Sequence, residues 1–289
     1  MSALETPVHL ISQHGRRQWL RGMVADPRSA AGLVLVGLVV VAAVCAPLIG
    51  SFDPEQPDFA SMLAPPTGTH PLGTDELGRD VLARIVYGAR ASLYVGVLSV
   101  TLAAVVGTLI GLVAGFFGRW VDALMMRAMD IIFAFPSILL ALAITAVLGP
   151  SLSNAVLAIS VVNLPVFARL ARAQTLVVSR LEFVDAKRAL GFGTGDILLR
   201  TVLPNILAPL IVQASLLFAS AIITESYLSF LGLGVQPPTP TWGNMLRNAI
   251  GFLELAPWLA WFPGAAIFLT VLGCNLLGDG LRDRFDPRD

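Results

Sequence analysis

Long charge-free apolar runs alternate with short polar punctuation along this chain. Ala30 to Ile49 carries no charge, and about 20 apolar residues are enough to cross a bilayer. Secretory signal cores run only about 7–15 apolar residues, so this stretch reads as a retained first span. Further runs at about 91–117, 123–148, 152–177, 205–231 and 257–277 complete a set of six. Gly149-Pro150-Ser151 separates the third from the fourth, and Pro136 and Pro165 are candidate kinks within them. The expectation is an all-α integral membrane protein of six transmembrane helices, preceded by a polar segment over 1–29 and followed by a charged tail over 279–289.

The polar stretches have characters of their own. The amino-terminal segment holds Arg16, Arg17, Arg21 and Arg28 with Trp19, Leu20 and Met23 among them, which fits either a helix lying on the membrane surface or an unstructured tail. Gly50 to Gly88 is proline-rich and acidic, with a short helix expected near Glu76 to Tyr87. Ala103, Gly107, Gly111 and Gly115 recur every four residues in the second span, a stripe that lets another helix approach closely. Arg119 and Asp122 mark a tight turn before the third span, and Gly232 to Asn248, with Pro237, Pro238 and Pro240, is not a membrane helix.

One loop stands apart. From Arg180 to Pro204 the charges return, and Phe183, Ala186 and Leu190 recur at helical spacing. Ser179 and Glu182 have the spacing of a capping box. Gly191 and Gly193 should end that helix, and Thr194 is placed to cap a second one running toward Pro204. Six spans put both termini on one side. With the amino terminus inside, fifteen of the 19 basic residues become cytoplasmic and only Arg79, Arg84, Arg90 and Arg247 fall outside, so the positive-inside rule places this loop and both termini in the cytoplasm.

The loop resembles the cytoplasmic signature of bacterial ABC-importer permeases, Glu-Ala-Ala-x3-Gly-x9-Ile-x-Leu-Pro. Here it stands as Asp185-Ala186-Lys187, then Gly191, then Thr201-Val202-Leu203-Pro204, with aspartate for glutamate, lysine for the second alanine and threonine for isoleucine. The stretches from His70 (HPLGTDELGRDVLARIVYGARASL), Glu225 (ESYLSFLGLGVQPPTPTWGNML) and Leu277 (LGDGLRDRFDPR) resemble the dipeptide/oligopeptide/nickel branch, C-type subunit. The resemblance implies a type I importer permease in the bacterial cytoplasmic (inner) membrane. It also implies partners: a homologous second permease in a heterodimer, two ATPase subunits and a periplasmic or extracellular substrate-binding protein. The coupling residues it points to are Glu182, Asp185, Ala186, Arg188, Gly191, Leu203 and Pro204. Its substrates would be dipeptides or oligopeptides, with nickel or glutathione as alternatives.

Composition narrows the chemistry. The chain is 56% hydrophobic and 13% charged with net charge +0, against about 25% charged residues in a soluble domain; lipid is its solvent and nothing suggests nucleic acid. Cys45 and Cys274 lie far apart in apolar segments, and His9, His14 and His70 form no ligand-spaced cluster, so no disulfide framework or metal site is expected. The sole lysine, Lys187, is followed by Arg188, whereas a phosphate-binding loop needs serine or threonine there. No cofactor is therefore expected on this chain, which is not read as an enzyme; ATP and Mg would belong to partner ATPases. The competing classes are a membrane enzyme, which calls for paired carboxylates at one depth or a nucleophile with a base and finds neither, and an ATP-independent transporter, which has no need of the cytoplasmic loop.

Charges and polar groups inside spans are costly and mark candidate sites. Asp130 and Arg169 fall at similar cytoplasmic depth and are expected to pair. Asn163, Glu225 and Ser226 are candidates for the solute passage, Glu225 alternatively capping the outer end of the fifth span. On the outer side His70, Asp75, Gln236 and Trp242 are candidate contacts for the binding protein, although Pro237 to Pro240 serve equally well as a brace between the last two spans.

Overall fold

A computed structural model describes residues 26–49 and 52–285, so the expectation for the basic amino-terminal segment falls mostly outside the described residues. Their regular structure is helical, apart from one isolated bridge between Thr74 and Asp80. In order they form α1 (Pro27–Val44), the short α2 (Ala46–Ile49), α3 (Val81–Phe117), α4 (Arg119–Phe133), α5 (Ser137–Leu148), α6 (Leu152–Val178), α7 (Glu182–Ala189) and α8 (Thr194–Ile197). A π turn, Leu198–Val202, then leads into α9 (Leu203–Phe230), followed by α10 (Trp242–Ala249) and α11 (Trp258–Phe285). Five helical runs are long and apolar enough to cross a membrane, and the bent pair α4–α5 makes a sixth crossing if it counts as one span.

Local chemistry sets the ends. Asp26 caps α1 by accepting from the Ser29 amide at 2.8 Å, with Pro27 in the first turn. Ser151 caps α6 through the Asn154 amide at 3.1 Å, and Thr241 and Asn244 form a reciprocal capping box on α10.

Two expectations are corrected here. The short helix expected near Glu76 to Tyr87 is not separate. Asp80 accepts from the Ala83 amide at 2.7 Å and starts a 37-residue helix that runs unbroken into the second span. The third span is not one helix: α4 and α5 meet at 88°. Pro136 lacks an amide hydrogen and disfavours helix in the residue before it, which divides the span.

The core lies between α3, α6 and α9. A Cβ on Gly107 would stand 2.8 Å from the Leu164 carbonyl oxygen and one on Gly115 2.8 Å from that of Arg172. The glycine stripe thus brings the backbones of α3 and α6 together. Phe167, Ile159, Leu112, Val202 and Ile206 fill the adjoining space. α1 lies against α11, where a Cβ on Gly32 would meet the Leu277 amide nitrogen at 2.6 Å.

α3 also fixes the height of the polar segment at the end opposite the signature loop. Arg90 donates to the Val44 carbonyl at the end of α1 at 3.0 Å. Val81 therefore stands about 14 Å further along the axis, at 1.5 Å rise per residue. The polar segment 52–80 wraps this projecting part: Arg84 reaches the Pro54 carbonyl at 2.8 Å and the Trp258 indole donates to the Thr74 carbonyl at 3.2 Å.

Candidate functional site

The signature loop folds as a short helix, a glycine reversal, and a return through α8 and the π turn into α9. Glu182 and Asp185 occupy the first turn of α7 and Lys187 and Arg188 the last, an order that complements the helix dipole. Only one side of α7 is anchored. Val184 is fully buried and joins Ile197, Leu198 and Val202 in the main core, with Phe183 packed against it. Burying a valine side chain contributes about 1.5–3 kcal/mol, enough to hold an eight-residue helix that would not persist alone.

The reversal is a Schellman closure. The Gly191 amide donates to the Arg188 carbonyl at 3.0 Å and the Phe192 amide to the Lys187 carbonyl at 3.1 Å. Gly191 sits at φ +80, and a Cβ there would meet nothing within 4 Å. The requirement for glycine is thus the left-handed backbone. Space is not the constraint.

Polar struts fix the helix to its neighbours. Lys187 Nζ donates to Thr201 Oγ1 at 2.8 Å, pinning α7 to the π turn. Arg188 pairs with Asp185 at 2.9 Å and lays its guanidinium 5.1 Å over the Phe116 ring at the end of α3. Asp185 therefore has a partner within its own helix. Left outward are Glu182, Asp185, Ala186, Ala189, Gly191 and Phe192, together with Leu190, which is 76% exposed. Of the signature's last residues, Leu203 packs against the core and Pro204 is exposed in the first turn of α9.

The caps differ from expectation. Ser179 ends α6 in helical conformation (φ −65, ψ −13), so Leu181 takes the position before α7 and no side chain caps it. The Ser179 hydroxyl is buried without a partner. Gly193 takes the corresponding place before α8, and Thr194 lies inside the first turn.

Asp130 and Arg169 stand 2.7 Å apart with side chains 50% and 42% exposed, and Arg169 also stacks 4.3 Å from the Phe133 ring centroid. A second pair escaped the sequence reading. Arg172 grips both carboxylate oxygens of Asp122, again between α4 and α6. The available signal was the same one that singled out Asp130 and Arg169: opposite charges near the loop-side ends of two consecutive spans.

The passage candidates sit elsewhere than their polarity suggested. Glu225 is 0% exposed, accepting from Ser92 at 3.0 Å and Ser229 at 2.7 Å between α3 and α9. Ser226 and Asn163 are buried and donate to the carbonyls one turn back, Ile222 at 2.9 Å and Ile159 at 3.0 Å. Glu225 joins α3 to α9, while Ser226 and Asn163 bond within their own helices. Glu225 does not cap the outer end of its span.

The outer candidates divide. Trp242 is 1% exposed, its indole donating to the Ile85 carbonyl at 3.1 Å, and Asp75 is buried against Arg79 at 2.7 Å and Arg84 at 3.3 Å. Neither is free to touch another protein; both brace the outer segment. His70, half-buried, pairs with the capping Asp80 at 2.9 Å. Gln236 donates to the Gly232 and Gly234 carbonyls at 3.1 and 3.0 Å and stays exposed. Among the described residues no group of His, Cys, Asp and Glu is placed to hold a metal ion.

Known proteins are similar to this chain. The family model described as "Binding-protein-dependent transport system inner membrane component" matches residues 107–288. The dipeptide transport system permease protein DppC of Alkalihalophilus pseudofirmus is 47% identical over 272 residues, covering 94% of this chain and 90% of that protein. The di/tripeptide transport system permease protein DppC of Pseudomonas aeruginosa is 48% identical over 263 residues, 89% of this chain and 87% of that one. The glutathione transport system permease protein GsiD of Pectobacterium atrosepticum is 43% identical over 274 residues, 94% and 91% of the two chains. A chain of the inward-facing MetNI methionine ABC transporter superposes with a TM-score of 0.56, covering 70% of this chain and 96% of that one at 17% identity, which speaks to the fold alone. The α3–α6–α9 core, the braced loop beyond it and these relatives lead to one assignment: the chain belongs to the family of binding-protein-dependent transport system inner membrane components, as a multi-pass ABC-importer permease.

Proposed function

We propose that this permease forms half of the passage through which an ATP-driven importer carries dipeptides or short oligopeptides, with α7 docking on a separate ATPase. In the working complex it pairs with a homologous second permease, two ATPases and an external binding protein, with the loop 180–204 and both termini in the cytoplasm. The observation that carries the coupling reading is the two-sidedness of α7. Val184 is buried in the core shared with the spans, while Ala186, Ala189, Leu190 and Phe192 face outward. An amphipathic helix so mounted suits a groove on a partner, and a push on it reaches α6 and α9 directly. ATP and Mg act on the partner subunits in this scheme.

The peptide reading is supported by the relatives named for dipeptide and di/tripeptide transport. Glutathione, itself a peptide, is the second reading, favoured by the relative named for it. The test is uptake into proteoliposomes holding the complete complex and its binding protein, with labelled dipeptide, glutathione and Ni2+ compared in parallel. ATP-dependent dipeptide uptake is expected. Uptake of Ni2+ alone, or uptake that persists without ATP, would overturn the proposal.

A further inference from the structure

Beside the loop-side ends of α4 and α6 lies an open cleft of about 750 Å³ walled by Asp122, Met126, Arg127, Asp130, Arg169 and Arg172. Its size falls within the ~300–1,000 Å³ usual for small-molecule sites. Two of its guanidiniums are committed. Arg172 holds both oxygens of Asp122, and Arg169 lies 2.7 Å from Asp130 with Phe133 beneath it. Arg127 faces the same cleft, exposed, and has no ionic or hydrogen-bonding partner among the described residues. Three cations and two carboxylates leave one positive charge unmatched.

A wall carrying five charges is poorly tolerated against lipid tails, and charged residues of membrane helices face a water-filled cavity or the bundle interior. The cleft opens outward from this chain; in a complex of two permease halves the water such a wall requires is that of the passage between them. The 88° break between α4 and α5 turns the apolar Ser137–Leu148 segment away from α4 just beyond it.

We propose that this cleft is a binding station on the inner side of the passage, at which Arg127 takes the carboxylate of the moving solute. The inference rests on the short-peptide reading above. One unmatched guanidinium suits a single carboxylate, with its planar fork meeting two oxygens. The paired arginines orient the walls; Arg127 alone is free to bind.

The test uses the assembled transporter in proteoliposomes, with its binding protein saturated by a free-acid dipeptide or by the same dipeptide amidated at its carboxyl end. Delivery by the binding protein is then common to wild type and variant, and the acid-to-amide ratio of initial rates reports the permease. Arg127→Gln is expected to lower that ratio by about tenfold, the effect of losing one charge-assisted hydrogen bond. Arg127→Lys should restore most of it. An unchanged ratio, or equal slowing of both solutes, overturns the site. So does loss of co-purifying phosphatidylglycerol in Arg127→Gln with the ratio unchanged, which assigns the cleft to a lipid headgroup. If the wild type carries neither dipeptide, the short-peptide reading falls and this site with it, a result distinct from failure of the variant alone.

Discussion

Gly191 joins a backbone demand to freedom of space: φ +80 with nothing near an added Cβ. Left-handed backbone costs a residue with a Cβ about 1–2 kcal/mol, most of all when it is β-branched. Gly191→Val is therefore expected to insert and purify normally while the reversal after α7 loosens, and Gly191→Asn to fall between it and wild type. Solute moved per ATP hydrolysed in the reconstituted complex is the measurement; a wild-type ratio for the valine variant would refute coupling through α7. At Glu225 the expectation is opposite in kind. Gln at 225 keeps an acceptor for Ser92 and Ser229, whereas Leu leaves both hydroxyls without the partner they now have. Glu225→Leu should cost about 1–3 kcal/mol more than Glu225→Gln, read as a lower melting temperature in detergent. Equal melting temperatures would show that the buried carboxyl is not a fastener. The glycine was legible because left-handed positions select residue type. The role of Glu225 was not, since a carboxyl in a span looks the same from sequence whether it meets solute or two serines.

Among the elements, α3 against α6 is the contact most sensitive to volume. A Cβ on Gly111 would stand 2.4 Å from the Ala168 carbonyl oxygen, and overpacking of this sort costs about 1–3 kcal/mol. Gly111→Leu should give less folded protein and a lower melting temperature than the same change at Gly37, where nothing lies within 4 Å. Similar yields at the two positions would contradict the packing. The ion pairs between α4 and α6 are predicted to differ. Asp122→Asn breaks a two-point grip that is partly buried, while Asp130→Asn breaks a half-exposed single contact of the sort worth about 0–1 kcal/mol. Expression should fall more for Asp122→Asn, and the swapped Asp130→Arg with Arg169→Asp should recover whatever either single change loses. The four-residue glycine period announced the close contact. The division of the third span was only half visible: Pro136 signals a kink, but the angle depends on what α5 packs against.

Taken whole, the molecule wears its apolar side outward. Val34, Leu38, Val41, Leu124, Val147 and Phe268 are exposed in the single chain, as suits helices meeting lipid or a second permease. The outer segment is the reverse, a polar cap closed by Arg84, Asp75 and two indoles. Orientation is the prediction at this scale. Gly193→Cys, at an ordinary φ of −65 with open space around it, in a chain with Cys45 and Cys274 replaced, should react with a membrane-impermeant thiol reagent only from the cytoplasmic side. Labelling from outside would invert the topology and remove the ATPase from reach of α7.

The sequence by itself determined that this is a membrane protein, roughly where it crosses, and where the loop carrying the permease signature lies. Each of those depends on local properties: the length of apolar runs and the residue types demanded by backbone angles. Tertiary structure alone decided which polar groups face one another. Trp242 and Asp75 became braces, Glu225 a fastener and Arg172 the partner of Asp122, because burial and pairing depend on distances between residues far apart in the chain. Hydropathy along a line carries no measure of those distances.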